Sequence, residues 1–484
     1  MKGLKMLKKG NVVAGLLLAV ALLIISVGCS DASEKAVAEN VDVEQLRNNP
    51  ELGFAPLPIK FGETVGLVVH FNQGETLEHL KDLKNMGIKW VRDEEYWGGI
   101  EKKKGEYVWP AKFKRRLKFY KENGIGNIFA LTYSANKNVY PDDPYNPEGF
   151  GRYAVAAAKL HKDAGVEFVL EIFNEPANFG LRKKYGGKWY GEPNCPWIDH
   201  YAKMVIESVR QVKAYDPNMK IITTDHWWST HYWWLEKDLP KELDGFAVHP
   251  YAHGAGTPGP EIAHFGKDSS HAKPWTIMDD DRSNRSLMRR LRAQYAEKIG
   301  RPLEMYITEW GYALGRFKGK EWETTEDLAA ALLPRVFING VAAGARVVSW
   351  YCSSGDGTWG LIRDDQTKRK TYYSLKAMVE QLGDYQMIKQ LVGMDGTTKG
   401  IQAYLFEGDA GYKLAVWNIE GPVEVTFDSG YPVPLKVYDH FGKALPFRYV
   451  KDGLPILKLD RAPIYIEGIG EYCLIEPLSL DKTK

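Results

Sequence analysis

The chain has 484 residues, enough for about three average domains or for one large α/β barrel with an addition, and too long for a minimal binding module. Hydrophobic residues make up 44% and charged residues 26%, which excludes both a disordered chain and a multi-span membrane protein. The 64 Lys+Arg and 62 Asp+Glu leave a net charge of +2. Once the N-terminal lysines Lys2, Lys5, Lys8 and Lys9 are discounted the balance falls to about −2, which leaves no basic footprint for nucleic acid.

Behind those lysines lies an uncharged apolar run over 12–27, followed by Gly28-Cys29-Ser30, the shape of a secretory signal with a small residue before the cut. A run of about 17 residues is at the short limit for a helix that spans a bilayer. Ser26-Val27-Gly28-Cys29 resembles the bacterial lipobox, with Ser26 where that motif usually has Leu. The resemblance implies a signal peptide over 1–28, lipid on Cys29, and an exported bacterial lipoprotein anchored on the periplasmic or extracellular side of a membrane. Residues 29–60 are polar and acidic with weak helical period, as a tether would be. The other cysteines, Cys195, Cys352 and Cys473, are odd in number and lack C-x-x-C spacing. They support neither a disulfide framework nor a zinc knuckle, and leave room for one chance pair.

From residue 61 to about 385 a unit recurs in kind: a short β-branched run, a loop rich in Gly, Asn, Asp and aromatics, then an amphipathic helix. The spacing predicts strands over 65–71, 88–92, 127–133, 168–174, 221–225, 246–249, 305–308 and 346–351. Helices are predicted over 76–85, 111–122, 153–162, 198–215, 286–298, 326–343 and 374–381, with a fifth in chain order near 232–237. Gly87, Gly124, Gly165 and Gly300 stand where helices need a C-cap. Eight such units predict an α/β fold of the (β/α)₈ TIM barrel type. No G-x-G-x-x-G follows the first strand to support a doubly wound dinucleotide sheet. Over 390–484 the texture changes to alternating strands at 401–406, 412–419, 423–427, 435–438, 455–459 and 464–467. They predict an antiparallel β-sandwich, read as a cover for apolar barrel surface rather than a carbohydrate-binding module.

Chemistry is concentrated at two strand ends. Glu171-Ile172-Phe173-Asn174-Glu175-Pro176 ends the fourth strand, and Ile307-Thr308-Glu309-Trp310-Gly311 ends the seventh. In a barrel both ends open on one mouth, so Glu175 and Glu309 can face each other. Two carboxyl groups across a pocket are what glycosidic cleavage needs: one protonates the leaving oxygen while the other attacks or supports the anomeric carbon.

With these motifs the chain resembles the retaining glycoside hydrolases of clan A over residues about 60 to 470. The run from Arg92-Asp93-Glu94 through Trp97, Gly105, Tyr107 and Trp109-Pro110, with Ala462-Pro463-Ile464-Tyr465-Ile466-Glu467-Gly468, most resembles family 39 and its polysaccharide-cleaving relatives, with family 5 also open. The resemblance implies Glu175 as acid/base and Glu309 as nucleophile. It implies supporting roles for Arg92, Asn174, His249 and Tyr251, and for Trp350 under the sugar at the cleavage point. An acid at Glu175 should be protonated when substrate arrives, whereas Glu309 should be ionised, helped by Arg92 and a Tyr251 hydroxyl. Asn174 is placed for the sugar 2-hydroxyl, and a short carboxylate separation is expected.

Further candidates for lining a sugar cleft are His70, Tyr133, Asn136, Trp227 and Trp228, the last two in an aromatic tract over 227–234 read as a subsite platform. His226, His231, His253, His264, His271 and Asp279-Asp280-Asp281 match no metal-ligand spacing. The chemistry implied is therefore that of a retaining β-glycoside hydrolase acting on an oligo- or polysaccharide by double displacement, with no cofactor and no metal. The same scaffold fits two rivals, a catalytically silent carbohydrate-binding protein and a transglycosylase. Xyloside, glucoside, mannoside, galactoside and exopolysaccharide substrates, endo and exo action, and any oligomeric state fit the pattern alike.

Overall fold

The structure, a computed structural model, describes residues 55–477 apart from 75, 77, 133–134, 226–227, 253–258, 264–268, 270–281, 321–322, 355–356, 393–399, 431–433 and 450–452. The signal-peptide, tether and Cys29 assignments thus lie almost wholly outside it, as do Tyr133, His226, Trp227, His253, His264, His271 and the acidic triple.

Eight strands form a closed barrel: β1 (Val65–Val68), β2 (Trp90–Glu94), β3 (Gly126–Leu131), β4 (Phe168–Ile172), β5 (Ile221–Asp225), β6 (Gly245–Val248), β7 (Glu304–Trp310) and β8 (Ala345–Trp350). Each pairs in parallel with its sequence neighbours, and β1 closes on β8. A helix follows every strand: α1 (His79–Asn85), α2 (Ala111–Asn123), α3 (Pro147–Ala164), α4 (Pro196–Tyr215), α5 (Trp228–Leu235), α6 (Asn284–Ile299), α7 (Glu326–Ala342) and α8 (Lys370–Leu382). Helix boundaries follow cap chemistry. In α3, Asn146 accepts from the Gly149 N–H at 2.8 Å, Pro147 occupies the first turn, and Gly165 ends the helix at φ 66°.

The barrel floor is one apolar layer of Trp90, Ile128, Val169, Ile222, Ala247, Tyr306 and Val347. Side chains alternate along a strand, so the next inward positions are Arg92 on β2, Glu171 on β4, His249 just past β6 and Thr308 on β7. A polar layer thus rests directly on an apolar floor. The Trp90 ring fills that floor so fully that a Cβ on Gly126 would fall 2.6 Å from it, which explains a glycine at the start of β3.

Apart from a short antiparallel hairpin of Glu101–Lys103 with Glu106–Tyr107 after β2, the remaining described strands form two antiparallel sheets. One runs in the order β9 (Gln386–Val392), β10 (Ile401–Gly408), β11 (Gly411–Asn418), β16 (Ile464–Ile469), β13 (Lys436–Tyr438). The other runs β14 (Arg448–Tyr449), β15 (Pro455–Leu459), β12 (Val423–Asp428), β17 (Leu474–Pro477). Ile401, Ala403 and Leu405 of β10 face the core between the sheets, whereas Tyr404 and Phe406 join the barrel's own core. That strand is buried on both faces, so the sandwich covers barrel surface. Helix α7 lies under it, with Ala329 to Ala342 buried throughout. Within it Arg335 and Asn339 bond to Glu261, which also accepts from the Trp417 indole of β11 at 3.0 Å.

Three expectations change here. The fifth helix is Trp228–Leu235 and not 232–237; its aromatics are buried nearly all round, the pattern of a helix enclosed by protein. Trp228, 4% exposed, is packing and not a subsite platform. Cys195, Cys352 and Cys473 are all free thiols, so no chance pair forms.

Candidate active site

The site is built from strand ends. Beyond β4 the backbone turns sharply, with positive φ at Phe173 (71°) and Glu175 (42°) just before Pro176. Non-glycine residues in that region cost on the order of 1–3 kcal/mol each. Phe173 is fully buried against the rings of Tyr145 and Phe150 at 5.9 and 6.3 Å, and this packing holds the turn. The result is that Asn174 and Glu175 project over the barrel mouth.

Arg92 organises what lies beneath. Its Nε donates to Glu171 at 2.5 Å, one Nη to Glu309 Oε1 at 2.7 Å, and the other Nη to Asn174 Oδ1 at 2.8 Å. One guanidinium therefore ties β2, β4 and β7 together. Burial alone would lower its pKa, but the Glu171 and Glu309 charges outweigh burial and raise it, so Arg92 is a fixed cation. The Tyr251 hydroxyl donates to Glu309 Oε2 at 2.9 Å. That phenol is held far above its ordinary range by burial and by the Glu309 and Glu175 charges, so it stays a donor.

Hydrogen-bond direction assigns a proton. Glu171 Oε1 accepts from Thr308 Oγ1 at 2.8 Å, which spends the only hydroxyl hydrogen of Thr308. Thr308 Oγ1 must then accept from His249 Nε2, 3.0 Å away. With Nε2 protonated, the 3.0 Å link from His249 Nδ1 to Glu175 Oε1 carries one further proton, on either the ring or the carboxyl. Asn178 donates to the other Glu175 oxygen at 2.9 Å. A continuous hydrogen-bond chain thus runs from Arg92 through Glu171, Thr308 and His249 to Glu175.

Glu309 differs from expectation in one respect. Burial pushes its carboxyl above the usual carboxylate range, and the Glu175 charge adds to this, while His249, Arg92 and Tyr251 oppose it without cancelling it. Oxygens of Glu175 and Glu309 and a nitrogen of His249 all lie within 4.8 Å of one another. Such a trio is near enough to share a metal ion, but the positive charge Glu309 needs is already supplied by Arg92, and the remaining atoms serve the proton network.

A family model described as cellulase (glycosyl hydrolase family 5) matches residues 59–332, more than half of the chain. The chain belongs to glycosyl hydrolase family 5. It is therefore a clan A glycoside hydrolase, and the strand-end carboxyls stand in an enzyme. A search of curated proteins finds no match. Among solved structures, a family 39 glycoside hydrolase from the gut symbiont Bacteroides cellulosilyticus WH2 shares the fold at TM-score 0.67 and 19% identity, covering 85% of this chain and 82% of that one. An α-L-arabinofuranosidase from Thermotoga maritima aligns at TM-score 0.48 and 11% identity, over 87% and 98% of the two chains. An exo-β-1,4-mannosidase from Opitutaceae bacterium strain TAV5 aligns at 0.45 and 14%, over 66% and 59%.

The barrel mouth gathers Arg92, Asn174, Glu175, His249, Tyr251 and Glu309 in one hydrogen-bonded group. His70 stands at the same mouth, edge-on to Tyr351 at 5.2 Å, and Tyr351 and Tyr251 both pack edge-on against Trp359. Two candidates are elsewhere. Trp350 is fully buried beside Tyr312, because alternation along β8 turns Val347 and Ser349 inward and Trp350 outward; the aromatic at the mouth is Tyr351. Asn136 is also fully buried and folds back on the loop after β2, donating to the Glu101 carbonyl at 2.9 Å and accepting from Val139. It is a loop brace, and no part of it reaches a sugar. The sequence reading missed Glu171, Thr308, Tyr351 and Trp359. A charged residue inside an otherwise apolar parallel strand, as Glu171 is in Phe168–Ile172, was the available signal, since such a charge needs a buried partner.

Proposed function

We propose that this glycosidase hydrolyses β-glycosidic bonds of an oligo- or polysaccharide with retention of configuration, Glu309 acting as nucleophile and Glu175 as acid/base. The observation that carries this reading is that one oxygen of Glu175 and one of Glu309 approach within 4.8 Å of each other across the mouth, which favours the closer of the two known carboxyl spacings. Retaining enzymes hold their carboxyls about 5–5.5 Å apart, and inverting ones about 6.5–9.5 Å to admit a water. In the first step Glu309 attacks the anomeric carbon while the proton on the Glu175–His249 link passes to the leaving oxygen, so the carbon–oxygen bond breaks as the new ester forms. In the second step Glu175, now lacking that proton, takes one from water, and the water oxygen displaces Glu309. Arg92 and Tyr251 favour the charged carboxylate that leaves. Asn174, held by Arg92, is near enough to the pair to meet the 2-hydroxyl, a contact that strengthens in the transition state.

The test is hydrolysis of aryl β-glycosides and natural polysaccharides by residues 31–484 beside Glu175→Gln and Glu309→Gln. Wild-type cleavage with both variants reduced at least about 1,000-fold supports the reading; full activity in either variant sinks it. The N-terminal pattern supports export and anchoring through Cys29, so the full-length protein should take up labelled fatty acid in bacteria and Cys29→Ala should not.

A further inference from the structure

The run from Arg92 to Glu95 alternates in direction, and three of its four side chains are accounted for. Asp93 and Glu95 point outward and both bind Arg116 of α2, at 2.8 and 2.9 Å. Arg92 points inward to the catalytic carboxyls. Glu94, two residues on at the end of β2, shares the inward face with Trp90 and Arg92 and so stands one layer above the guanidinium, in the barrel mouth. It is 9% exposed, and its Oε1 is buried without a hydrogen-bond partner among the described residues. The Tyr96 hydroxyl supports the carboxyl group, and both Arg92 and Glu309 lie within electrostatic reach. Burial above all, with the Asp93 charge behind it and Arg92 opposing, lifts its pKa to about 7. A buried carboxyl oxygen left unpaired costs on the order of 1–3 kcal/mol, and none of the described residues offers it a donor.

Resting on the glycosidase reading, we infer that Glu94 is a sugar-binding residue: its carboxyl hydrogen-bonds a hydroxyl of the neutral ring that occupies the mouth above Arg92. A sugar hydroxyl both donates and accepts, so it satisfies Oε1 whether or not the carboxyl holds a proton. The ring is neutral because Glu94, Glu171 and Glu309 already share the charge of Arg92, and a uronic acid would bring a further like charge to the same place. Glu94 thus selects the sugar, while Glu175 and Glu309 break the bond.

The test compares wild type, Glu94→Ala and Glu94→Gln on one aryl β-glycoside that the wild type cleaves, on its monodeoxy analogues, and on the matching aryl β-uronide. In wild type, removing the contacted hydroxyl should lower kcat/KM about 10- to 100-fold. In Glu94→Ala the parent substrate should fall by a similar factor, and that analogue should then be no worse than the parent within about threefold. Glu94→Gln, which keeps hydrogen-bonding capacity, should retain part of the discrimination, and the uronide should be the poorer substrate for wild type. Each ladder is a ratio of substrates on one protein, so a reduced folded fraction in a variant does not move it. An identical ladder in wild type and Glu94→Ala overturns the role of Glu94, and preferred cleavage of the uronide overturns the neutral ring. A wild type inactive on every glycoside overturns instead the glycosidase reading beneath both.

Discussion

Glu309 is set between opposing influences of similar kind, and single atoms decide the balance. Burial raises its pKa; the Arg92 guanidinium at 2.7 Å and the Tyr251 hydroxyl at 2.9 Å pull it down. Removing the hydroxyl takes away a donor that favours the charged form, so Glu309 pKa rises further. Tyr251→Phe should accordingly move the acid limb of the kcat/KM profile to higher pH and lower the plateau about 10-fold, as a pH series on one aryl glycoside would reveal. An unmoved acid limb would detach Tyr251 from the ionisation of Glu309. Thr308 acts at one remove. Its hydroxyl passes the orientation of Glu171 to His249, so it positions the ring without touching substrate.

At the level of elements, α3 packs on β3 through His161, whose ring is enclosed by Phe113, Phe129 and Phe168. Its Nδ1 donates to the Ala157 carbonyl at 2.8 Å, and Nε2 faces the Asn127 amide at 3.0 Å. Burial lowers its pKa from 6.5 to about 4. Unfolded chains take up a proton there as pH falls through about 6.5 while the folded protein does not, so this contribution is intact above that pH and is lost toward pH 4. Between pH 7 and 5 the loss is on the order of 2 kcal/mol. Urea unfolding of wild type and His161→Gln should show the variant losing less stability over that interval, and equal losses would mean the ring is not held neutral. Element-scale features were also those most legible in the sequence. The eight barrel strands announce themselves as β-branched runs, and Glu175 and Glu309 as acids at two strand ends. Strand parity was not legible. Both faces of β8 are buried, so no alternation of polarity says whether Trp350 or Tyr351 looks into the barrel. Strand β9 was missed because two register shifts break its period of two. Asn136 was misplaced because its partner Glu101 is 35 residues away in the chain.

Across the whole molecule, one buried carboxylate bonds to barrel and sandwich alike, within the apolar junction that Tyr404, Phe406 and Trp417 form with the barrel core. Glu261 takes both donors of Arg335 at 2.9 and 2.5 Å, the Asn339 amide at 3.1 Å and the Trp417 indole, and it follows β6, the strand whose end carries His249 and Tyr251. Removing that charge takes the carboxylate partner from a fully buried Arg335, at about 3–5 kcal/mol. Glu261→Gln should lower the thermal midpoint measured by calorimetry, and barrel and sandwich should melt together. A midpoint unchanged from wild type would show that the two parts do not depend on this link. Contact between barrel and sandwich is legible in the sequence only as apolar surface in need of cover; Glu261, which bonds to both, sits in a long loop with no motif around it.

Double displacement requires Glu309 to form a covalent bond to the sugar. The most direct measurement is mass spectrometry of the enzyme after incubation with an activated 2-deoxy-2-fluoro glycoside of the sugar it hydrolyses, with proton NMR of the first-formed anomer from the natural substrate. The expected result is one added sugar mass on the peptide that contains Glu309, and a product that keeps the β configuration. An unlabelled, fully active enzyme that releases the α anomer would contradict it.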